Sequence, residues 1–179
     1  MSAKNNIIEA FWLLHREKSI DKITIKELMD KAGYHRSLFY TYFKDIYDLY
    51  EQEQEQFFSE LNKFLPYVMQ TFMHKQQNSK AINISTTFLD KYGAKIAILL
   101  GQYGDIAFQF RLKSTLRHNL AKMLALSQDD YKTNLALEFF INGHLNAIVY
   151  FYHNREHLNI KDYWQMIRNI LSSVFIAKN

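Results

Sequence analysis

Apolar residues recur along this 179-residue chain at the three- and four-residue spacing of amphipathic helices, and no segment alternates as a strand would. The spacing predicts a first helix over residues 4–18 and two shorter helices within residues 24–43. It predicts a fourth helix from about residue 45 to residue 65, where Pro66 is expected to break or kink the chain. The fold class that we expect is therefore all-α.

The second half of the chain continues the helical pattern and is divided by polar or glycine-bearing segments. A polar loop is expected over residues 74–80. We expect two parts: an N-terminal three-helix module over residues 1–48 and a larger C-terminal helical domain over residues 49–179. The helices after the polar loop are expected near residues 82–92, 94–101, 105–125, 128–154 and 160–177.

Local signals are densest in residues 24–43. Thr24 and Glu27 form a T-x-x-E capping box, which favours a helix start because each side chain can accept the backbone N–H of the other residue. Gly33 follows the last turn of that helix, where glycine enters the left-handed conformation without strain. Phe39 and Phe43 mark a buried side of the next helix. The side chains on its other side are Arg36, Ser37, Tyr40 and Thr41.

Two short helices joined by a glycine turn, the second with an outward polar face, have the arrangement of a helix-turn-helix. Such a unit lays its second helix in the major groove of DNA. A helical corner whose aromatic residues simply fill a core would give the same pattern. The pattern alone therefore leaves both interpretations open.

Composition narrows the class of protein. Apolar residues make up 48% and aromatic residues 16% of the chain, which indicates a packed globular protein. Cysteine is absent, which excludes disulfides, thiolate nucleophiles and cysteine-based zinc sites. The first residues lack the apolar run of a signal peptide, and no uncharged apolar run is long enough to cross a membrane. We therefore expect a cytoplasmic protein.

The charge balance permits nucleic-acid binding without requiring it. The net charge is +4 and the sequence pI is about 9.1. Residues 1–50 contain eight Lys and Arg against seven Asp and Glu, a net charge of +1. A basic surface in this region therefore requires its Lys and Arg side chains to cluster on one face, because there is almost no excess of positive charge. The candidates for that surface are Lys26, Lys31, Arg36 and Lys44.

The residues that follow the first predicted helices resemble a family signature. Ala32-Gly33, then Leu38-Phe39-Tyr40, Tyr42-Phe43 and Asp45, are similar to the A-G-(V)-(S)-x-x-(T)-(L/F)-Y-x-(H/Y)-F pattern of TetR/AcrR-family transcriptional regulators. The resemblance covers residues 4–50. It implies a regulator, expected to be a repressor, that binds a semi-palindromic DNA operator as a homodimer and is released by a small-molecule effector.

Arg36 is the leading candidate for reading bases, because its guanidinium can bond to O6 and N7 of guanine together. The resemblance implies phosphate contacts for Lys26, Tyr40 and Tyr42, and Lys44 is a further candidate. Ser37 and Thr41 project on the same side as Arg36. The candidate DNA-binding residues are Lys26, His35, Arg36, Ser37, Leu38, Tyr40, Thr41, Tyr42 and Lys44.

Two positions depart from the relatives. Leu38 stands where many relatives have threonine, and it could contact a thymine methyl group or turn inward. Ile46 stands where many relatives have a lysine, so a phosphate contact is missing here. These departures leave a second interpretation open: a TetR-like helical interaction or ligand-sensing protein with weakened DNA binding.

Residues 135–152 form a predicted helix that is apolar on nearly every side, and residues 162–176 are similar in character. A helix that is apolar all round must be covered all round, and a second copy of the chain could cover part of it. The resemblance implies that the last two helices form a homodimer interface. Such a dimer would bind half-sites about one helical turn apart, or a multiple of it.

The resemblance also implies that the C-terminal domain holds an unknown small-molecule effector. Aromatic and histidine side chains of this domain are candidates for the pocket, although each could equally fill the core. The candidates are Tyr92, Tyr103, Phe108, Phe110, His118, Phe139 and His144.

One motif is typical of an enzyme. His153, Glu156 and His157 match the H-x-x-E-H pattern of some zinc proteases. Neither a third ligand nor a cleft can be assigned to it, and a solvated helix end is the simpler interpretation. No glycine-rich phosphate loop, G-x-S-x-G motif or dinucleotide-binding fingerprint occurs. We expect no catalysis, no cofactor and no bound metal.

Overall fold

A computed structural model describes residues 2–73, 79–127, 129–171 and 173 of the chain, with the backbone alone in residues 67–73, 79–82 and 171. These residues contain α-helices and one short 3-10 helix at Ile20–Lys22, and no strand occurs among them. The expected all-α fold class is therefore confirmed. The helices are α1 (Ala3–His15), α2 (Ile25–Ala32), α3 (Arg36–Phe39), α4 (Ile46–Met73), α5 (Ser79–Leu99), α6 (Ile106–Met123), α7 (Tyr131–His153) and α8 (Ile160–Leu171).

The first three helices and the start of α4 surround a small core, in which Phe11, Leu28, Phe39 and Leu49 are fully buried. Helix α1 begins at a side-chain cap, because Ser2 Oγ accepts from the backbone N–H of Asn5 at 3.3 Å. This N-terminal module is therefore packed by its own residues. Its expected boundary at residue 48 stays a prediction, and α4 runs across that position.

The remaining helices form the C-terminal domain, in which the later part of α4 packs against α5 and α6. Its core is built from apolar side chains of every helix from α4 to α8. The most deeply buried of them include Phe57, Tyr92, Phe108, Leu112, Leu137, Ile141 and Ile167. Helix α4 therefore contributes buried residues to both cores and connects the two parts of the molecule.

Pro66 does not end α4, contrary to the sequence-based expectation, and the helix continues to Met73. Proline removes one backbone hydrogen bond, the one to the carbonyl four residues earlier at Asn62. Both Pro66 and Asn62 are exposed, so water can satisfy that carbonyl.

The two helices expected at residues 82–92 and 94–101 are a single helix, α5. The expected polar loop falls mainly on residues 74–78, which lie outside the described residues, whereas Ser79 and Lys80 already belong to α5. Gly93, which suggested an interruption, instead lies against α7. A Cβ atom at Gly93 would stand 2.2 Å from Cε2 of Tyr152, so any other residue would have to displace that ring.

No helix among the described residues is both long enough and apolar enough to cross a membrane.

Candidate nucleic-acid interface

The turn between α2 and α3 is built by local signals. Thr24 Oγ1 accepts from the backbone N–H of Glu27 at 3.2 Å, so half of the expected capping box is present. The carboxylate of Glu27 bonds instead to the ammonium of Lys18 at 2.6 Å, because that cation lies beside it. Gly33 ends α2 with φ 77° and ψ 31°, the left-handed conformation predicted for it.

Two phenylalanines fix the second helix of the unit to the core. Phe39 is fully buried and Phe43 nearly so, and their ring centroids are 5.4 Å apart. Helix α3 itself is short, because the chain turns at Tyr40, and the backbone N–H groups of Tyr42 and Phe43 both donate to the carbonyl of Phe39. The segment is therefore a tight, anchored turn of helix.

The outer face of this segment carries polar side chains. Arg36, Ser37, Tyr40 and Thr41 are exposed, and exposed His35 precedes them at the helix N-cap. The guanidinium of Arg36 folds over Tyr40 and donates to its hydroxyl from Nε at 3.1 Å and from Nη2 at 2.6 Å. It lies 5.5 Å from the centre of the tyrosine ring. Arg36, the candidate for reading bases, thus has a defined side-chain conformation at the solvent-exposed surface.

Exposed cations flank this face. Lys26, in the first turn of α2, lines a shallow depression of about 400 Å³ together with His35 and Arg36. Lys44 stands on the other flank, at the start of α4.

The start of α4 is capped by a side chain, because Asp45 Oδ1 accepts from the backbone N–H of Asp48 at 2.8 Å. The backbone N–H of Lys44 donates to Asp48 Oδ2 at 2.7 Å, and this bond holds the pKa of the Asp48 carboxyl below its usual value. These two carboxylates are therefore occupied by the helix start. The lysine side chain remains at the surface.

Three candidate positions are less accessible. Leu38 and Tyr42 are partly buried and pack against the core, so Leu38 turns inward rather than standing free on the face. Ile46 is buried in the module core. The side chain at position 46 packs in the module core of this chain, which explains why the residue there is apolar.

The expected effector residues do not form one site. Tyr92 and Phe108 are buried in the core, and Tyr103 lies at the rim of a cleft between α1 and α5. His144 lines a different cavity, about 80 Å³ and otherwise almost wholly apolar, inside the C-terminal domain. The structure places three others at the surface, away from both cavities, because they lie on outward faces of α6 and α7: Phe110, His118 and Phe139.

His144 is the polar feature of that small cavity. Its ring is parallel to that of Phe140, with centroids 5.7 Å apart, and its Nδ1 lies 3.3 Å from the hydroxyl of Tyr163. Burial lowers the pKa of His144 to about 4. The imidazole is therefore uncharged at neutral pH and presents a neutral hydrogen-bonding group to an apolar space.

Sequence reasoning missed the cleft between α1 and α5. Its floor holds Glu53, which is only 7% exposed although it belongs to the polar run over residues 51–56. Glu53 Oε2 accepts from Trp12 Nε1 at 3.0 Å and from Lys95 Nζ at 2.5 Å. No sequence signal separates Glu53 from its exposed neighbours, because its partners are more than 40 residues away.

The H-x-x-E-H motif is not placed on one helix face. Helix α7 ends at His153, and Glu156 and His157 lie in the turn that follows. In the described part of the chain, no group of three or more His, Cys, Asp or Glu side chains could hold a metal ion. The geometry that a helical zinc-protease motif requires is therefore missing from this segment.

Comparison with known proteins adds the fold family. No protein-family model matches the chain, and no curated protein matches it. A TetR-family transcriptional regulator from Streptomyces coelicolor has a similar structure, with a TM-score of 0.57 and 17% identity over 100% of this chain and 85% of that one. A TetR transcriptional regulator from Streptococcus agalactiae 2603V gives 0.54 and 19%, over 94% and 93%.

The dihydroxyacetone kinase operon activator DhaS is also similar, with a TM-score of 0.52 and 16% identity over 97% of both chains. These identities are low, so the likeness concerns the arrangement of helices. The helix-turn-helix module followed by a helical domain is thus the fold of TetR-family transcriptional regulators.

Proposed function

We propose that this chain is a transcriptional regulator that binds DNA sequence-specifically through α3 and the residues around it. The observation that carries the proposal is the exposed polar face of Arg36, Ser37, Tyr40 and Thr41, held rigidly over buried Phe39. A short helix presented in this way fits the major groove. The similarity to regulators of the TetR fold supports the same function.

Each exposed side chain has a role in this proposal. Arg36 leaves the hydroxyl of Tyr40 and binds a guanine edge, since its two-pronged donor geometry matches O6 and N7. The freed Tyr40 hydroxyl, Lys26 and Lys44 bind phosphates on either side. Because the Arg36–Tyr40 contact is exposed, exchanging it for DNA contacts costs about 1 kcal/mol.

We propose a homodimer formed through α7 and α8. Large apolar side chains are exposed on both helices, with Phe139 83% exposed on α7. A single chain gains nothing from exposing such residues, whereas a second copy would bury them in a symmetric interface. Two recognition segments would then read a semi-palindromic operator. The other exposed large apolar residues of these helices are Tyr131, Leu135, Tyr150, Met166 and Ile170.

We further propose that the regulator acts in the cytoplasm as a repressor and that a small-molecule effector releases it from DNA. Two cavities are available for an effector, the small one at His144 and the cleft at Tyr92 and Tyr103. One similar structure carries the name of an operon activator. The sign of regulation depends on where the operator lies relative to a promoter, and a reporter gene placed behind the selected operator measures it.

The proposal is tested by selecting duplexes from a random library with the purified protein. We expect an enriched semi-palindromic site whose affinity falls steeply with salt, because phosphate binding releases counterions. Arg36→Ala should cost about 1–3 kcal/mol on that site and relax the preference at one base pair per half-site. Lys122→Ala, which removes an exposed cation on α6 of the C-terminal domain, is the control.

The alternative function is a helical interaction or ligand-sensing protein with weakened DNA binding. Buried Ile46 and the net charge of +1 over residues 1–50 favour it. The same selection decides between the two functions. No enriched duplex, or an affinity independent of salt, would exclude the DNA-binding proposal and support the alternative.

A further inference from the structure

The largest cavity among the described residues lies between the two parts of the molecule. It has a volume of about 950 Å³, with α1 on one side and α5 on the other, and α4 forms its floor. This volume is at the upper end of the range for small-molecule sites. The cavity at His144 is more than ten times smaller, at about 80 Å³.

The floor of this cleft is a rigid polar network. Glu53 binds both Trp12 of α1 and Lys95 of α5, so one carboxylate joins three helices. The ammonium of Lys95 also lies 5.2 Å from the ring of Trp12 and 5.7 Å from that of Tyr92. The carboxylate is therefore already neutralised by a cation, and it leaves no unpaired charge for a ligand to match.

His15 is among the residues that line the cleft, and its Nε2 is an unused acceptor covered by neighbouring side chains. The residue is only 2% exposed, and its Nδ1 lies 3.2 Å from the carbonyl of Lys18. A carbonyl can only accept, so Nδ1 carries the proton and Nε2 has a free lone pair. Burial lowers the pKa of His15, which keeps the ring neutral. In the described structure Nε2 has no hydrogen-bond partner.

The remaining surface of the cleft is aromatic and balanced in charge. The charged side chains of the lining, apart from histidines, are Glu9, Arg16, Glu53, Lys91 and Lys95. Lys95 is paired with Glu53, and Lys91 with Glu60 outside the lining at 2.7 Å, so one carboxylate and one cation remain. Such a surface does not favour an ion. Its aromatic lining favours a flat apolar ring system. The aromatic side chains are Trp12, Tyr92, Tyr103 and Tyr152.

We propose that this interdomain cleft binds an uncharged aromatic compound that carries one O–H or N–H donor, such as a phenol or an indole, with the donor directed to His15 Nε2. The ligand contacts α1 and α5 together, so its affinity depends on how the two parts are arranged. If the proposed function holds, ligand binding in this cleft changes the affinity for the operator. Binding itself requires no DNA, so the two proposals can fail separately.

The test uses 2-naphthol as the probe and the full chain with Trp164→Phe, which leaves Trp12 as the one tryptophan. We expect saturable quenching of Trp12 emission by 2-naphthol and a matching calorimetric titration. The donor-free analogue 2-methoxynaphthalene should bind about tenfold more weakly, because it cannot bond to Nε2. His15→Phe should weaken 2-naphthol about tenfold and abolish the difference between the two compounds.

His15 is buried, so His15→Phe could lose binding through misfolding, and a second variant tests the cleft independently. Ala94 is exposed and lines the cleft, so Ala94→Trp in the Trp164→Phe background should block 2-naphthol binding. Binding to this variant is measured by calorimetry. Ala107→Trp, an equally exposed alanine outside the cleft, is the control and should bind normally. Absence of saturable 2-naphthol binding overturns the proposal. So does binding that survives Ala94→Trp but is lost in Leu116→Phe, which fills the cavity at His144.

Discussion

The N-terminal module buries all of its phenylalanines, whereas the C-terminal domain leaves two of its described phenylalanines exposed. Phe39 in the module is fully buried, whereas Phe139 in the C-terminal domain is 83% exposed. The module is closed by its own side chains, and its helix starts and its turn are fixed by Ser2, Thr24 and Gly33. The C-terminal domain has a packed interior but an outer surface that is partly apolar.

This difference shows that the two regions differ in how much of their apolar surface a single chain buries. The module buries its core within a single chain, although Leu13, Tyr40 and Tyr47 are exposed at its surface. The C-terminal domain exposes apolar area, which the proposed homodimer would cover. One tryptophan lies in each region, Trp12 in α1 and Trp164 in α8, so the two can be followed separately.

The largest expected effect is loss of a buried ring. Phe39→Ala removes a fully buried side chain from the module and should lower its free energy of unfolding by about 3–5 kcal/mol. We expect Trp12 emission to report unfolding at lower denaturant than Trp164 emission. Phe139→Ala is the matched control, because the exposed ring should cost the monomer less than about 0.5 kcal/mol and weaken only dimerisation. Equal losses in the two variants would contradict the comparison.

Acid should weaken the C-terminal domain through His144. In the unfolded chain this histidine binds a proton near pH 6.5, whereas in the folded chain its pKa is about 4. Between these values the unfolded state binds more protons, so the free energy of unfolding falls as the pH drops from 6.5 towards 4. The loss is at most about 3 kcal/mol.

His144→Gln should flatten this pH dependence when unfolding is followed by Trp164 emission. His118→Gln is the control, because His118 is exposed and its replacement should leave the pH profile unchanged. An unchanged slope in His144→Gln would show that other groups cause the acid sensitivity.

The crossing of α5 and α7 depends on Gly93. Gly93→Ala places a Cβ atom 2.2 Å from Tyr152 and should destabilise the C-terminal domain by about 1–3 kcal/mol. Gly143→Ala has nothing within 4 Å and lies inside α7, so it should stabilise by up to about 1 kcal/mol. Opposite signs in thermal unfolding are the expected result. A neutral Gly93→Ala would mean that the helices do not meet there.

The smallest effect concerns the helix start at Thr24. Thr24→Ala removes the bond from the backbone N–H of Glu27 and should cost the module about 1 kcal/mol. Thr24→Ser keeps a hydroxyl acceptor and should restore most of this stability. If both variants unfold like the wild type by Trp12 emission, the module does not rely on this cap.

The module was predictable from sequence because its signals act over a few residues. The cap at Thr24, the turn at Gly33 and the anchor at Phe39 all lie within one short segment. Glu27 was predicted less well, since Lys18 lies outside the capping pattern and takes its carboxylate. Among the candidate DNA-binding residues, the outward positions on α3 and the turn after it followed from helical spacing, whereas Lys26 was named from the family resemblance.

The C-terminal domain was less predictable because its contacts join distant residues. Gly93 is a helix breaker by propensity, yet Tyr152 of another helix explains its place inside α5. Pro66 is tolerated because the carbonyl that it frees faces water. The cleft could not be predicted, since it exists only where Glu53, Trp12 and Lys95 converge.

The shortness of α3 limits how much sequence this chain can read directly. Its four residues, Arg36–Phe39, rise about 6 Å along the helix axis, whereas stacked base pairs are about 3.4 Å apart. In the proposed complex, direct reading in each half-site then covers about two base pairs. The rest of the operator would be recognised through groove width and bendability, so bases that no side chain touches should still be constrained in its binding sites.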